Sequence, residues 1–120
     1  PVQPNRAAKS SSSECTYDTD LTDAGRIRDE IRDMARENAE WLVRKGLQAK
    51  TGTIKVRYGD FTTITRSHSS SPTNNADDIV GRALVLLTKT EAGARPVRLL
   101  GAGVHGFGGS DSWEATLPFD

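Results

Sequence analysis

One cysteine among 120 residues excludes an internal disulfide, so non-covalent contacts must hold this chain together. In a β-favouring stretch, Cys15 is expected to be a small buried hydrophobe rather than a reactive thiol. Long apolar runs are missing as well. The longest covers residues 83–87, far short of the ~20 residues a membrane-spanning helix needs, and no charged-then-apolar leader opens the chain. No membrane partner and a cytoplasmic location are therefore expected. His68 and His105 stand far apart, with no second cysteine and no carboxylates at ligand spacing, so no metal site is expected. No serine is set beside a histidine and an acid, so no catalytic residue is expected either. Even net charge is absent, with 16 bases against 16 acids, which at first sight argues against a nucleic-acid binder.

The distribution of charge reverses that impression. Residues 18–40 carry eight acids against four arginines, whereas residues 41–66 carry six bases (Arg44, Lys45, Lys50, Lys55, Arg57, Arg66) against Asp60 alone. Such a domain is electrically two-sided, and the sign of the field on one face governs steering more than the total does.

Residues 1–8 (PVQPNRAA) are polar, proline-bearing and aperiodic, and read as the end of a linker to something upstream. A serine-rich stretch from Lys9 then runs into Glu14, Cys15, Thr16 and Tyr17, whose alternation suggests a first strand. Asp20 is expected to cap a helix, with Asp23 in its first turn. Apolar residues recur at Ala24, Ile27, Ile31, Met34 and Leu42 with Asn38 as a polar interruption, which is helical spacing. Arg44 and Lys45 suit the negative end of the helix dipole, and Gly46 suits a left-handed stop.

Residues 53–58 (TIKVRY) alternate strictly, putting Ile54, Val56 and Tyr58 on one face and Thr53, Lys55 and Arg57 on the other. Gly59 and Asp60 signal a tight turn, and residues 61–67 (FTTITRS) return as a threonine-rich strand. Residues 69–75 read as loop. A second helix is expected from about Ala76 to Thr88, with Asp77 and Asp78 in its first turn and Ile79, Ala83, Leu86 and Leu87 as its apolar stripe. A last strand is expected over 96–107. The fold class is therefore α+β in the order β-α-β-β-α-β, a four-stranded, mostly antiparallel sheet with two helices on one face. The uncovered face is the place to look for function.

Two chemical signals dissolve on inspection. Residues 101–106 (GAGVHG) match G-x-G-x-x-G, but that motif works only when a helix starts at its end and aims N–H groups at a pyrophosphate. Here the chain continues through Phe107 and more glycine without helical periodicity, so the glycines read as a bulged strand end running into a flexible tail. Trp41 reads as core or rim packing. An RNA-recognition module shares the element order, yet the aromatic residues it would need on its open sheet are missing, since Tyr58 falls on the core face.

Taken in order, KS at 9–10, ECTY at 14–17, KVRYGDF at 55–61, TRS at 65–67, PT at 72–73 and RPVRLLG at 95–101 resemble the little-finger domain of Y-family, lesion-bypass DNA polymerases, and the bacterial DNA polymerase IV branch above all. Tyr17 stands where the family has phenylalanine. The resemblance covers about residues 9–107 and implies a reversed ferredoxin-like fold whose sheet lies in the major groove of the primer–template duplex. It also implies that nucleotide transfer, with its carboxylates and magnesium, belongs to a palm domain elsewhere in the parent polymerase. This domain would then carry no cofactor and no catalytic residue. DNA-contacting residues expected on this basis are Lys9, Ser10, Lys55, Arg57, Thr65, Arg66, Ser67 and Arg98, through phosphate contacts that position without reading sequence. The tail, 108–120, resembles a sliding-clamp-binding peptide with Leu117 and Phe119 as anchors and Glu114 where glutamine is preferred. Expected partners are thus duplex DNA and a sliding clamp, in the cytoplasm near the nucleoid. The competing reading is a ferredoxin-like regulatory or protein-interaction domain that binds a small ligand, which a ligand-induced rise in melting temperature would distinguish.

Overall fold

Residues 10–107 are described by the computed structural model of the chain. Its six elements are β1 (Ser10–Leu21), α1 (Ala24–Lys45), β2 (Ala49–Tyr58), β3 (Thr63–Thr73), α2 (Ala76–Leu87) and β4 (Val97–Phe107). The order β-α-β-β-α-β is the expected one, and all strand pairs are antiparallel in the sheet order β1-β4-β2-β3. Each helix joins two strands that are next-nearest neighbours. Those strands run parallel, and the helix crosses over the antiparallel strand between them. Both crossovers lie on one face, where the helices also meet each other.

The apolar stripe of α1 dictates its seat. Ile27, Ile31, Met34, Ala35, Ala39 and Leu42 are all buried against the sheet, and Gly46 ends the helix at φ 68°, where its N–H reaches the carbonyls of Leu42 and Val43. Only a glycine adopts that left-handed stop without strain. α2 is shorter and buries Ile79, Ala83, Leu86 and Leu87, with the Asn75 side chain accepting from the Asp78 N–H at its start. Ile54, Val56, Val97 and Leu100 from the two central strands close the core at 0–1% exposure. Burying each such side chain contributes about 1.5–3 kcal/mol.

Asn38, the polar interruption in the stripe, is 1% exposed. Its Nδ2 donates to the carbonyls of Met34 (2.9 Å) and Ala102 (3.0 Å), and its Oδ1 accepts from the Ser11 hydroxyl (2.7 Å). Satisfied on both ends, it ties α1 to β4 and β1 rather than weakening the core.

Several boundaries differ from expectation. β1 continues past Tyr17 to Leu21, which pairs with Val97 beyond a register shift. Asp23 therefore replaces Asp20 as the cap of α1, accepting from the Gly25 N–H. β2 begins at Ala49 and passes through Gly52. β3 runs on to Thr73, so residues 69–73 are strand and not loop. Serine is a weak strand former, but here cross-strand hydroxyl pairing supplies what propensity lacks: Ser69 bonds Thr51 at 2.7 Å. The glycines of β4 are also not a bulged end. Gly101 and Gly103 lie in regular register with Lys55 and Thr53, and the left-handed residue comes later, at Gly106 (φ 70°). Cys15 is exposed, contrary to expectation. It pairs with the buried Leu100 but sits on an edge strand, where a small side chain falls short of the packed core.

Candidate nucleic-acid interface

The face opposite the helices is assembled by the alternation of four paired strands. In register across it lie Ser12, Gly103, Thr53 and Ser67, then Glu14, Gly101, Lys55 and Thr65, then Thr16, Leu99, Arg57 and Thr63. No side chain rises from the Gly101 and Gly103 positions at its middle. A Cβ at Gly101 would come within 2.9 Å of the Glu14 Cγ, and one at Gly103 within 3.0 Å of the Ser11 carbonyl oxygen. These glycines make the floor of a shallow trough of about 250 Å³, bounded by Ser12, Glu14, Thr53 and Lys55. Leu99 shares this side but is only 6% exposed, beneath its neighbours rather than in the main core.

Polar groups on the face are prearranged by their own hydrogen bonds. Thr53 and Ser67 share a hydroxyl–hydroxyl bond of 2.9 Å, and the Arg57 Nε donates to the Thr63 hydroxyl at 2.9 Å. Lys55 Nζ donates to Glu14 Oε2 at 2.9 Å, directly above Gly101. Both members of that pair are partly open to water, at 37% and 48% exposure, and solvent-accessible pairs contribute only about 0.2–1 kcal/mol. Lys55 can therefore exchange Glu14 for an incoming anion at small cost.

At one end of the sheet, the turn between β2 and β3 builds a compact charged tip. Phe61 is 63% exposed and held at φ 71°, with its N–H bonded to the Tyr58 carbonyl at 2.8 Å. The Arg98 guanidinium lies 4.9 Å from the Phe61 ring centroid, and its Nε reaches Asp20 at 3.2 Å. Asp60 accepts from the Thr62 N–H at 3.0 Å and meets Arg95 at 2.7 Å. The Thr62 hydrogen bonds, with Arg95 adding to them, hold its carboxyl below the usual carboxylate range.

Of the residues expected to contact DNA, Ser10, Lys55, Arg57, Thr65 and Ser67 share the open face. Arg98 stands at the end of the sheet beside the turn. Arg66 does not join them. Its partner across the hairpin is the buried Ile54, so it points to the helix side and borders a groove there with Arg82 and Lys89. The signal was in the sequence: with Ile64 turned inward, a residue two positions on must turn inward too. Lys9, Glu114, Leu117 and Phe119 lie outside the described residues. Missed at the sequence level were the glycine floor, the exposed Phe61 and the acid Glu14 on a face expected to be cationic. Period-two counting back from the strand pairing would have found Glu14. The positive φ of Phe61 had no local signal.

Among the described residues no three histidine, cysteine or acidic side chains gather as a metal site, and no helix is long and apolar enough to cross a membrane.

Residues 8–117 match the impB/mucB/samB family C-terminal domain. The chain is 45% identical over 106 residues to DNA polymerase IV of Alkalilimnicola ehrlichii, covering 88% of the chain and 30% of that protein. It is 42% identical over 107 residues to DNA polymerase IV of Halorhodospira halophila, with the same two coverages of 88% and 30%. The chain thus spans about 30% of the length of these curated relatives. Its fold is similar to the little-finger domain in a complex of the beta-clamp processivity factor with that domain of PolIV. There the TM-score is 0.65 at 22% identity, over 83% of this chain and 90% of the other. It is likewise similar to part of Dbh DNA polymerase in a post-insertion binary complex, with a TM-score of 0.69 at 14% identity, over 82% of this chain and 28% of the other.

Proposed function

The chain belongs to the impB/mucB/samB C-terminal domain family, and from that premise we propose that it is the duplex-holding, non-catalytic domain of a Y-family lesion-bypass DNA polymerase. The observation that carries the reading is the open sheet face. Its glycine-floored middle is crossed only by the exchangeable Lys55–Glu14 pair, and hydroxyls from three strands flank Lys55 and Arg57. Such a surface fits the edge of a major groove and touches phosphates, which fixes register on the duplex without selecting sequence. Lys55, Arg57 and Arg98 supply the charge. The hydroxyls of Ser10, Thr65 and Ser67 supply neutral hydrogen bonds, and Lys9 is assigned a further phosphate contact.

Nucleotide transfer and the magnesium that serves it are assigned to a palm domain of the parent polymerase, and this domain is assigned neither. Weak, persistent grip on the duplex is its contribution to synthesis past damaged bases. In the tail, Leu117 and Phe119 are assigned as anchors for a sliding clamp, with Glu114 as the polar contact. The parent is placed in the cytoplasm at the nucleoid.

Titration of a labelled duplex at several salt concentrations tests the central reading. Affinity should be independent of sequence and fall with a log–log slope of about −0.9 per phosphate neutralised. Binding that ignores salt, or that strongly prefers one sequence, overturns it. Loss of clamp capture on Leu117→Ala with Phe119→Ala is expected for the tail, and unchanged capture refutes that assignment.

A further inference from the structure

On the helix side, β3 overhangs α2 and encloses a groove of about 550 Å³ that the duplex-binding face does not use. Its floor includes Val85, 57% exposed, and Leu86; Arg66, Arg82 and Lys89 border it, and Asp77 and Asp78 line its end at the start of α2. Among the described residues none of these three bases holds a carboxylate; Arg66 and Arg82 donate only to the backbone carbonyls of Thr65 and Ser71. Beyond Asp77 and Asp78 the floor is apolar and bordered by bases, which calls for an acidic segment with apolar anchors. We propose that residues 110–120 of this same chain occupy the groove.

Charge complementarity is the first argument. After Arg98 the chain contains no lysine or arginine, and the segment carries Asp111, Glu114 and Asp120 around Trp113, Leu117 and Phe119. Reach is the second. Ala49 pairs with both Phe107 and Thr73, so β4 ends two strand spacings, about 10 Å, from the end of β3. The six residues from Phe107 to Trp113 span up to ~20 Å when extended, enough to enter the groove at the start of α2. From there to Lys89 is about 18 Å along the helix at ~1.5 Å per residue, close to the extended length of the stretch from Trp113 to Phe119. In this register Glu114, just past Asp77 and Asp78, comes within reach of the Arg82 guanidinium, which extends back to the Ser71 carbonyl, and Asp120 falls near Lys89 and Arg66. The docking does not rest on the clamp assignment, but it has a consequence for it. Any partner that takes Leu117 and Phe119 must first lift them from this seat.

Trp113 reports the docking once Trp41→Phe makes it the only tryptophan of the 120-residue chain. Its emission should be blue-shifted, with an acrylamide quenching constant several-fold below that of a free peptide of residues 108–120. Arg82→Glu combined with Lys89→Glu should raise quenching toward the peptide value, and so, independently, should Val85→Asp. All three positions are on or beside the exposed side of α2, and unchanged far-UV circular dichroism confirms that each variant is folded. Quenching equal to the free peptide in the parent chain overturns the proposal, as does shielding that neither set of substitutions changes. Shielding that disappears on dilution also overturns it, assigning the groove to the tail of a second copy.

Discussion

One residue apart along the same two strands, Val56 and Leu100 are wholly buried under the helices while Arg57 and Gly101 lie on the open, polar face. The helix side is large, branched and tightly closed. The open side is small, hydroxylated and held by bonds between neighbouring hydroxyls. The contrast teaches that stability and binding are separated by the pleat of the sheet. Either can be altered by a substitution that leaves the other nearly untouched.

The largest effect expected is on the closed side. Leu100→Ala should lower unfolding free energy by about 2–5 kcal/mol, read from denaturant melts. A loss comparable to that of an open-face substitution would break the comparison. Asn38→Ala, which removes three hydrogen bonds at one buried site, should cost about 1–3 kcal/mol by the same measurement.

Tyr17 sharpens the contrast through pH. Burial first, and the hydrogen bond to Glu30 at 2.7 Å second, push its hydroxyl far above the usual phenol range. A raised folded-state pKa gives stability that is complete below the unfolded value and lost as pH rises, because the unfolded chain releases the proton first. Relative to Tyr17→Phe, the parent chain should therefore lose up to about 1.4 kcal/mol for each pH unit above ~10, followed by melts from pH 8 upward. Parallel curves for the two proteins would remove the buried tyrosine from the account.

On the open side, Arg57→Ala should change stability by less than about 0.5 kcal/mol. It should nonetheless reduce the salt slope of duplex binding by about 0.9. Smallest of all, Glu14→Gln should tighten duplex binding by up to about fivefold, by freeing Lys55 from an exposed pair of at most ~1 kcal/mol. Weaker binding would mean that Glu14 positions Lys55 rather than competing for it.

Much of this was legible before any coordinates. The stripe of α1 from Ile27 to Leu42, the Gly46 stop, the alternation of residues 53–58 and the short second helix each rest on local spacing, and each appears as expected. The misplacements share one cause. Asp20 has the chemistry of a helix cap, yet β1 continues to Leu21 and Asp20 turns to Arg98, 78 positions away. The serines of residues 69–71 look like loop until Thr51 is found beside them. The resemblance groups Arg66 with Thr65 and Ser67, although strand geometry divides neighbours between faces.

By itself, then, the amino-acid order determined the kind of each element and the hydrophobic face each would bury, because helix and strand periods are properties of a few consecutive residues. Tertiary structure alone decided which strands became neighbours. It thereby decided that Gly101 of β4 would lie level between Glu14 and Lys55, and that Phe61 and Arg98 would meet at the tip. Those pairings depend on contacts between distant segments, whose energy exists only after the helices have closed over the sheet.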